Sequence, residues 1–396
     1  MNDKHPDSNS GLTKATLLLV SMLTVMAGST IAPSLPAMQE HFKDIDNATL
    51  WVKLVLTLPP LFIVFGSLIA GAVVDRFGRK PLLLASVLLY GFAGASGYVF
   101  DSLLHILIGR AFLGLAVAGI MVTAITLITD YYNGESRASF LGLQTGFMGV
   151  GGVLFLSLGG FLADQNWRFP FLIYLFAWLL LPLVIWAIPE PQRSTIPPSG
   201  SLPTFPFKLL AFIYGVAIMS QIIFYLIPVQ LPFYLKELAN ANASQSGIAL
   251  ALNTLFSAAA SFFYGKIKQH LGFFSILVLA FGLIGAGFSI IGLFHIYALV
   301  FVGLAIVGMG LGVLMPNLNL WIASEVSDEA KGRALGGSST FFFLGQFLSP
   351  LLTQPVSQVV GLRATFTLAG GTMLVCGLLL MVLQRPICKL VSTKPA

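Results

Sequence analysis

Residues 71–80 read GAVVDRFGRK, and four charged side chains, Asp75, Arg76, Arg79 and Lys80, crowd into six of those positions. Charged residues are only 9% of the 396, and long apolar runs flank the stretch on both sides. Gly71, Gly78 and Pro81 frame it, so it reads as a tight polar turn between two apolar segments. What solvates those segments decides the fold.

Hydrophobic residues make up 57% of the chain. A soluble domain of this length carries far more polar surface, so the solvent for most of the chain is lipid. A helix needs roughly 20 apolar residues to cross the hydrocarbon core. Twelve stretches qualify, at 15–37, 51–74, 81–100, 103–128, 140–163, 169–188, 207–230, 246–265, 272–292, 296–320, 335–356 and 364–384. In lipid each is helical, because irregular backbone leaves its own polar groups unsatisfied. The fold class is an all-α membrane protein with twelve transmembrane helices.

The first run is too long for a signal-peptide core and no small-residue cleavage site follows it, so it reads as a retained helix. Cys376 and Cys388 show no CxxC spacing, so neither a disulfide nor a metal site is expected. The net charge of +6 is spread over short loops. Orientation explains it better than nucleic-acid binding does. Numbering the spans in order puts fifteen Lys and Arg on the side of the termini and five, among them Lys53, on the other, with Arg110 left inside a span. The positive-inside rule then places both termini in the cytoplasm.

Between spans six and seven, AIPEPQRSTIPPSGSLPTFPF (187–207) carries six prolines and reads as a semi-rigid linker. The expected organisation is a six-helix bundle over 1–188, a cytoplasmic linker over 189–206 and a second six-helix bundle over 207–396. An offset of 194 relates the halves: Gly71 and Gly78 fall on Gly265 and Gly272, and RASFLG (137–142) falls on KGRALG (331–336). One residue out of register, WRFPF (167–171) resembles LRATF (362–366). Two such halves are the architecture of a secondary transporter, with substrate held near the midplane.

Along nearly its whole length the chain resembles the major facilitator superfamily. Gly71, Asp75, Arg76, Gly78, Arg79 and Lys80 match that family's G-x-x-x-D-R-x-G-R-K loop. LIGRAFLG (107–114), with Arg110 and Gly114, resembles its helix-four motif, and IAPSLP (31–36) the end of helix one in its drug-efflux branch. Within the family the likeness is to twelve-span bacterial drug and metabolite exporters of the drug/proton antiport kind, resident in the bacterial inner membrane. Two departures stand out. Phe155-Leu156 precede Gly159-Gly160 where those exporters usually carry Gly-Pro, and Ala27 stands where many proton-coupled relatives carry a carboxylate.

The resemblance implies that Asp75, Arg79, Arg137 and Asp130 form a charged cluster that latches the halves together on the cytoplasmic side. Topology alone would need basic residues and no aspartate there. Arg110 is expected to face a cavity or partner and to assist coupling, while Asp101, nine residues earlier, is a candidate titrating group. Gln144, Gln221, Tyr225 and Gln346 are candidates for the substrate cavity, although for any single one of them interhelical bonding is the more ordinary role. No Walker sequence is present, and no span core holds a carboxylate, so neither ATP-driven pumping nor an enzyme is expected. The chain is read as a monomeric exporter of a small organic molecule, with the bilayer, substrate and protons as partners and no cofactor or nucleic acid. A facilitator or importer on the same scaffold is the alternative.

Overall fold

The computed structural model describes residues 10–191 and 206–384; most of the linker and Cys388 lie outside the described residues. The described chain is helical almost throughout. In order run α1 (Gly11–Ser29), a 3-10 turn (Ala32–Ser34), α2 (Leu35–His41), α3 (Ala48–Phe77), α4 (Arg79–Val99), α5 (Leu103–Tyr131) and α6 (Gly134–Gln165). A second 3-10 turn (Phe169–Leu175) leads into α7 (Phe176–Ala187). Then come α8 (Phe207–Phe224), α9 (Leu226–Ala239), α10 (Ala243–His270), α11 (Phe273–Leu293), α12 (Tyr297–Glu325) and α13 (Asp328–Val382).

Among the described residues eleven helical segments are long and apolar enough to cross a membrane. The count differs from twelve for a local reason. At about 1.5 Å per residue, the 55 residues of α13 far exceed a hydrocarbon core of about 30 Å. Gly361 interrupts it with φ 83° and ψ 164°, a conformation open to glycine and strained for other residues. The segment therefore holds two spans meeting at that kink. Spans one and seven are each broken instead: Gly11–His41 at Thr30–Ser34, and Phe207–Ala239 at Tyr225.

The contacts divide the chain into two compact units, Met1–Pro197 with Asn242–Ile248, and Pro198–Ala241 with Ala249–Ala396. In the first, glycines let helices meet backbone to backbone. Gly91, Gly94 and Gly97 form a groove along α4 that receives Trp178, Tyr174 and Phe171, and a Cβ on Gly97 would stand 2.1 Å from the Phe171 ring. Gly114 of α5 lies against Pro59 of α3, where a Cβ would meet the Pro59 carbonyl oxygen at 2.4 Å.

In the second unit α11 packs against both α12 and α13, with Gly287 opposite Gly303 and Gly292 opposite Thr367. Buried amides add direction to this packing. Asn253 Nδ2 donates to Leu304 O (2.8 Å), and Asn317 Nδ2 donates to Phe273 O (2.9 Å). Large apolar side chains such as Leu68, Phe262 and Val359 remain exposed. For a chain whose solvent is lipid, that is the outward face.

Candidate functional site

The turn in GAVVDRFGRK forms because α3 stops at Phe77, Gly78 takes φ 101°, and α4 starts at Arg79. A new helix leaves its first N–H groups without partners. Here Glu190, just past α7, supplies them: Oε1 accepts from Arg79 N and Oε2 from Lys80 N, both at 2.7 Å. The glycine at 78 is required twice over, since a Cβ there would also lie 2.6 Å from Glu190 Oε1. Arg79 Nε pairs with Asp130 Oδ2 at 3.0 Å, Lys80 Nζ donates to Ile185 O at 2.6 Å, and the Tyr131 hydroxyl donates to Pro189 O. The turn, the end of α5 and residues 185–190 are thus tied into one cluster.

Of the six residues of the loop motif and the two expected partners, Asp130 and Arg137, Arg79 and Asp130 meet directly, with Lys80 held beside them through Glu190. Arg137 is spent elsewhere. Its guanidinium donates to Tyr132 O (3.0 Å), Thr129 O and Asn133 Oδ1 (both 3.2 Å), capping the end of α5. Asp75 is exposed and forms no ion pair among the described residues. Arg76 lies over the Phe77 ring at 5.4 Å, and Gly71 has open space around it. Glu190 escaped the sequence reading, although an acid between two prolines at the head of the linker is its signal.

Arg110 is wholly buried on α5. Its Nε donates to Val55 O and its Nη2 to Ala27 O, each at 2.8 Å, and the guanidinium sits 5.1 Å from the Tyr174 ring centroid. Nη1 has no hydrogen-bond partner. Asp101 is nowhere near this cation's contacts. It lies exposed in the α4–α5 loop, accepting from His41 Nε2 at 2.8 Å and from Arg168 Nη2. The hydrogen bond from His41, with the Arg168 charge beside it, holds the Asp101 carboxyl below the usual carboxylate range. Lys53 departs from expectation: α3 begins at Ala48, so this lysine lies inside the helix, 2% exposed, and not in the outer loop. Arg110 is therefore not the sole charge within a span.

In the second unit the structure joins two expected cavity residues, with Gln346 Nε2 donating to Gln221 Oε1 at 3.3 Å. Tyr225 stands at the break between α8 and α9, one turn beyond Gln221, and Ser349 Oγ donates to Ile222 O at 2.7 Å. Gln144 belongs to the first unit, where its Nε2 donates to Ser21 Oγ at 2.7 Å across α6 and α1. The two broken spans correspond: the offset of 194 sets Ile31 on Tyr225, so each half interrupts its first span at the same place. Thr30, Ile31 and Tyr225 keep right-handed helical angles, so the breaks are tightened, buried bends at matching positions of the two halves. Pro33 and Pro36 in one half, and Pro228 and Pro232 in the other, carry the signal in the sequence.

At the far end of the spans from the 71–80 turn, Asp164 of α6 accepts from Ala243 N (2.7 Å), Ser244 N (3.2 Å) and the Ser244 hydroxyl. Gly160 and Gly247 pack closely beneath it, the Gly247 Cα lying 3.1 Å from a Cβ built on Gly160. The first turn of α10 is thereby fastened to the first unit, and the rest of the same helix runs in the second.

The profile of the Major Facilitator Superfamily matches residues 17–234 and 210–392. A bacillibactin exporter of Bacillus subtilis (strain 168) is 29% identical over 352 residues, covering 84% of this chain and 86% of its own length. The multidrug resistance protein MdtG of Escherichia coli (strain SMS-3-5 / SECEC) is 26% identical over 370 residues, 89% of each chain. Among solved structures, a D-xylose–proton symporter superposes with a TM-score of 0.76 at 16% identity, covering 93% of this chain and 96% of that one. An inward-facing, occupied bacterial homologue of the human lysosomal transporter Spinster gives 0.74 at 17% identity, covering 96% of each.

Proposed function

This chain belongs to the major facilitator superfamily, and on that premise we propose that it exports a small organic molecule by alternating access, with protons moving in exchange. The observation that carries the reading is the pair of matching breaks, at Thr30–Ser34 and at Tyr225, with Gln221 and Gln346 bonded beside the second. Gln144, Gln221, Tyr225 and Gln346 are assigned to substrate handling. The cargo is a drug or a metabolite such as a siderophore or a sugar. The 71–80 turn, with Asp130 and Arg137, is assigned to the latch, and Arg110 with Asp101 to coupling. Asp101, held ionised by His41 and Arg168, would take up a proton when that cluster opens. The protein acts as a monomer in the bacterial inner membrane, with both termini in the cytoplasm.

A facilitated or inward route on the same fold is the second reading. One observation favours it: among the described residues no aspartate or glutamate is buried. Mid-membrane carboxylates are the usual carriers in proton antiport. Proteoliposomes loaded with a cellular small-molecule extract separate the two. An imposed pH gradient is expected to drive uphill movement of some component, read by mass spectrometry, and Asp101→Asn or Asp130→Asn to abolish it. Movement that ignores the pH gradient, with both variants active, establishes the facilitator.

A further inference from the structure

The second unit holds an apolar cavity that the transport reading leaves without a role. It measures about 340 Å³ and lies between α8, α11 and the end of α13, walled by Phe212 and Met219, by Phe281, and by Cys376, Leu379 and Leu383. No charged side chain lines it. On the other flank of α8 a cavity of about 610 Å³ reaches the start of α13, with Tyr214 and Phe341 stacked in its wall at 5.1 Å between centroids. Ala211 and Gly215, one turn apart, line both cavities. The surface of α8 is therefore notched at these two small residues, with a hollow on each side.

Both residues are exposed, and a Cβ built on Gly215 meets nothing within 4 Å. Packing inside the unit does not ask for glycine there, and glycine within a helix is unfavourable relative to alanine. Ala211 and Leu383 line one cavity, so the start of α8 and the end of α13 share a level. Gly215 is eight residues in from Phe207 and Cys376 six before Val382, which sets them roughly 9–12 Å inside that end. Lys208 stands at the mouth. At about 100° per residue it falls on one stripe with Phe212, Gly215 and Met219. It is exposed and forms no ion pair among the described residues. The first turn of α8 holds no acidic residue and no side chain caps it.

We propose that this notch binds an anionic diacyl phospholipid, with the phosphate at Lys208 and the acyl chains lying along the two flanks of α8 over Ala211 and Gly215. Phe207, Leu379 and Leu383 stay exposed around it, so the notch faces the solvent of the chain, which is hydrocarbon. An apolar hollow open to lipid takes up a chain and excludes water. Two hollows on one helix suit a lipid with two chains. Lys208 selects the sign of the headgroup, since basic residues at the cytoplasmic ends of spans attract anionic lipid, and no acid in the first turn opposes it. Arg333, which lines the wider hollow, already has a contact within the protein and is not needed for this. The site lies beyond the transport reading and is independent of cargo and direction.

The test uses the full chain purified in detergent and mixed with phosphatidylglycerol, phosphatidylcholine and lysophosphatidylglycerol of one chain length. Retained lipid is read by native mass spectrometry. Wild type is expected to hold one phosphatidylglycerol about fivefold more strongly than phosphatidylcholine, the weight of one lysine beside anionic lipid. The single-chain lipid should be held less than the diacyl one. Lys208→Gln should retain the two diacyl lipids alike, and Gly215→Leu should lose the bound lipid, because its side chain grows into the notch. Excess glycerol phosphate should displace nothing, since a headgroup alone leaves the hollows unfilled. Both variants are first matched to wild type in unfolding midpoint. If Gly215→Leu does not match, Lys208→Gln decides alone, as an exposed substitution. Equal retention of the two diacyl lipids by wild type, an unchanged preference in Lys208→Gln, wild-type retention by a folded Gly215→Leu, or displacement by glycerol phosphate each overturns the proposal. Transport stands under all of these outcomes.

Discussion

Two acids at the 71–80 turn do different work, and the difference is measurable. Glu190 holds two backbone N–H groups at the start of α4, each at 2.7 Å. Removing it strands those donors and loses favourable charge at a helix N-terminus, together worth about 1–2 kcal/mol. Glu190→Ala should therefore lower the unfolding midpoint of the purified protein by a few degrees. Asp75 is exposed and forms no ion pair among the described residues. Asp75→Asn should leave that midpoint where it is while cutting transport severely, because its proposed role belongs to one conformation of the cycle. An Asp75→Asn protein that transports like wild type reduces the turn's charge to a topology signal. Sequence made Arg79, Asp130 and the glycines legible here because motif spacing fixes residues that act along one stretch. Glu190 was not legible, since its partner lies 110 positions away and only packing brings them together.

At the scale of elements, the apolar runs gave the spans, and the deviations came from glycine and proline. Gly361 reads as an ordinary glycine until its positive φ separates two spans that otherwise continue as one helix. The interruptions at Thr30–Ser34 and Tyr225 fall beside prolines, which remove a donor and disfavour the preceding residue's helical conformation. Hydropathy alone averages such breaks away. The same blindness hid Lys53, because one charge near the end of a long apolar run looks like a loop residue. The start of α10 yields a prediction of its own. Asp164 accepts from the amides of Ala243 and Ser244 and from the Ser244 hydroxyl, as an N-cap does from a distance. In Asp164→Ala those amides lose their acceptor, at a cost of about 1 kcal/mol. Hydrogen exchange of the peptide spanning 242–248 should accelerate severalfold, with the rest of α10 unchanged. Unaltered exchange there would mean that the Gly160–Gly247 packing alone holds the turn.

For the molecule as a whole, the internal repeat and the sidedness of charge carry the largest claims, and only sidedness needs a new measurement. The offset of 194 was visible from three short matches, and the structure adds that the breaks in the first span of each half obey it as well. The proposed orientation rests on the excess of Lys and Arg on the side of the termini, fifteen against five, and one of the five, Lys53, is buried within α3. Reassigning it strengthens the asymmetry, since a buried cation does not count as a loop charge. Asn47 and Asn240 both take left-handed conformations, at the junctions before α3 and after α9. A cysteine at either position should react with an impermeant thiol reagent added to intact cells, and one at Ser199 should react only after the membrane is opened. Asparagine tolerates the left-handed region better than cysteine does, so neighbouring Asp46 and Ala241 provide a second pair that avoids backbone strain. Labelling of Ser199 from outside, with both outer pairs silent, would invert the molecule. The latch would then face the exterior, and the proposed direction of export would reverse with it.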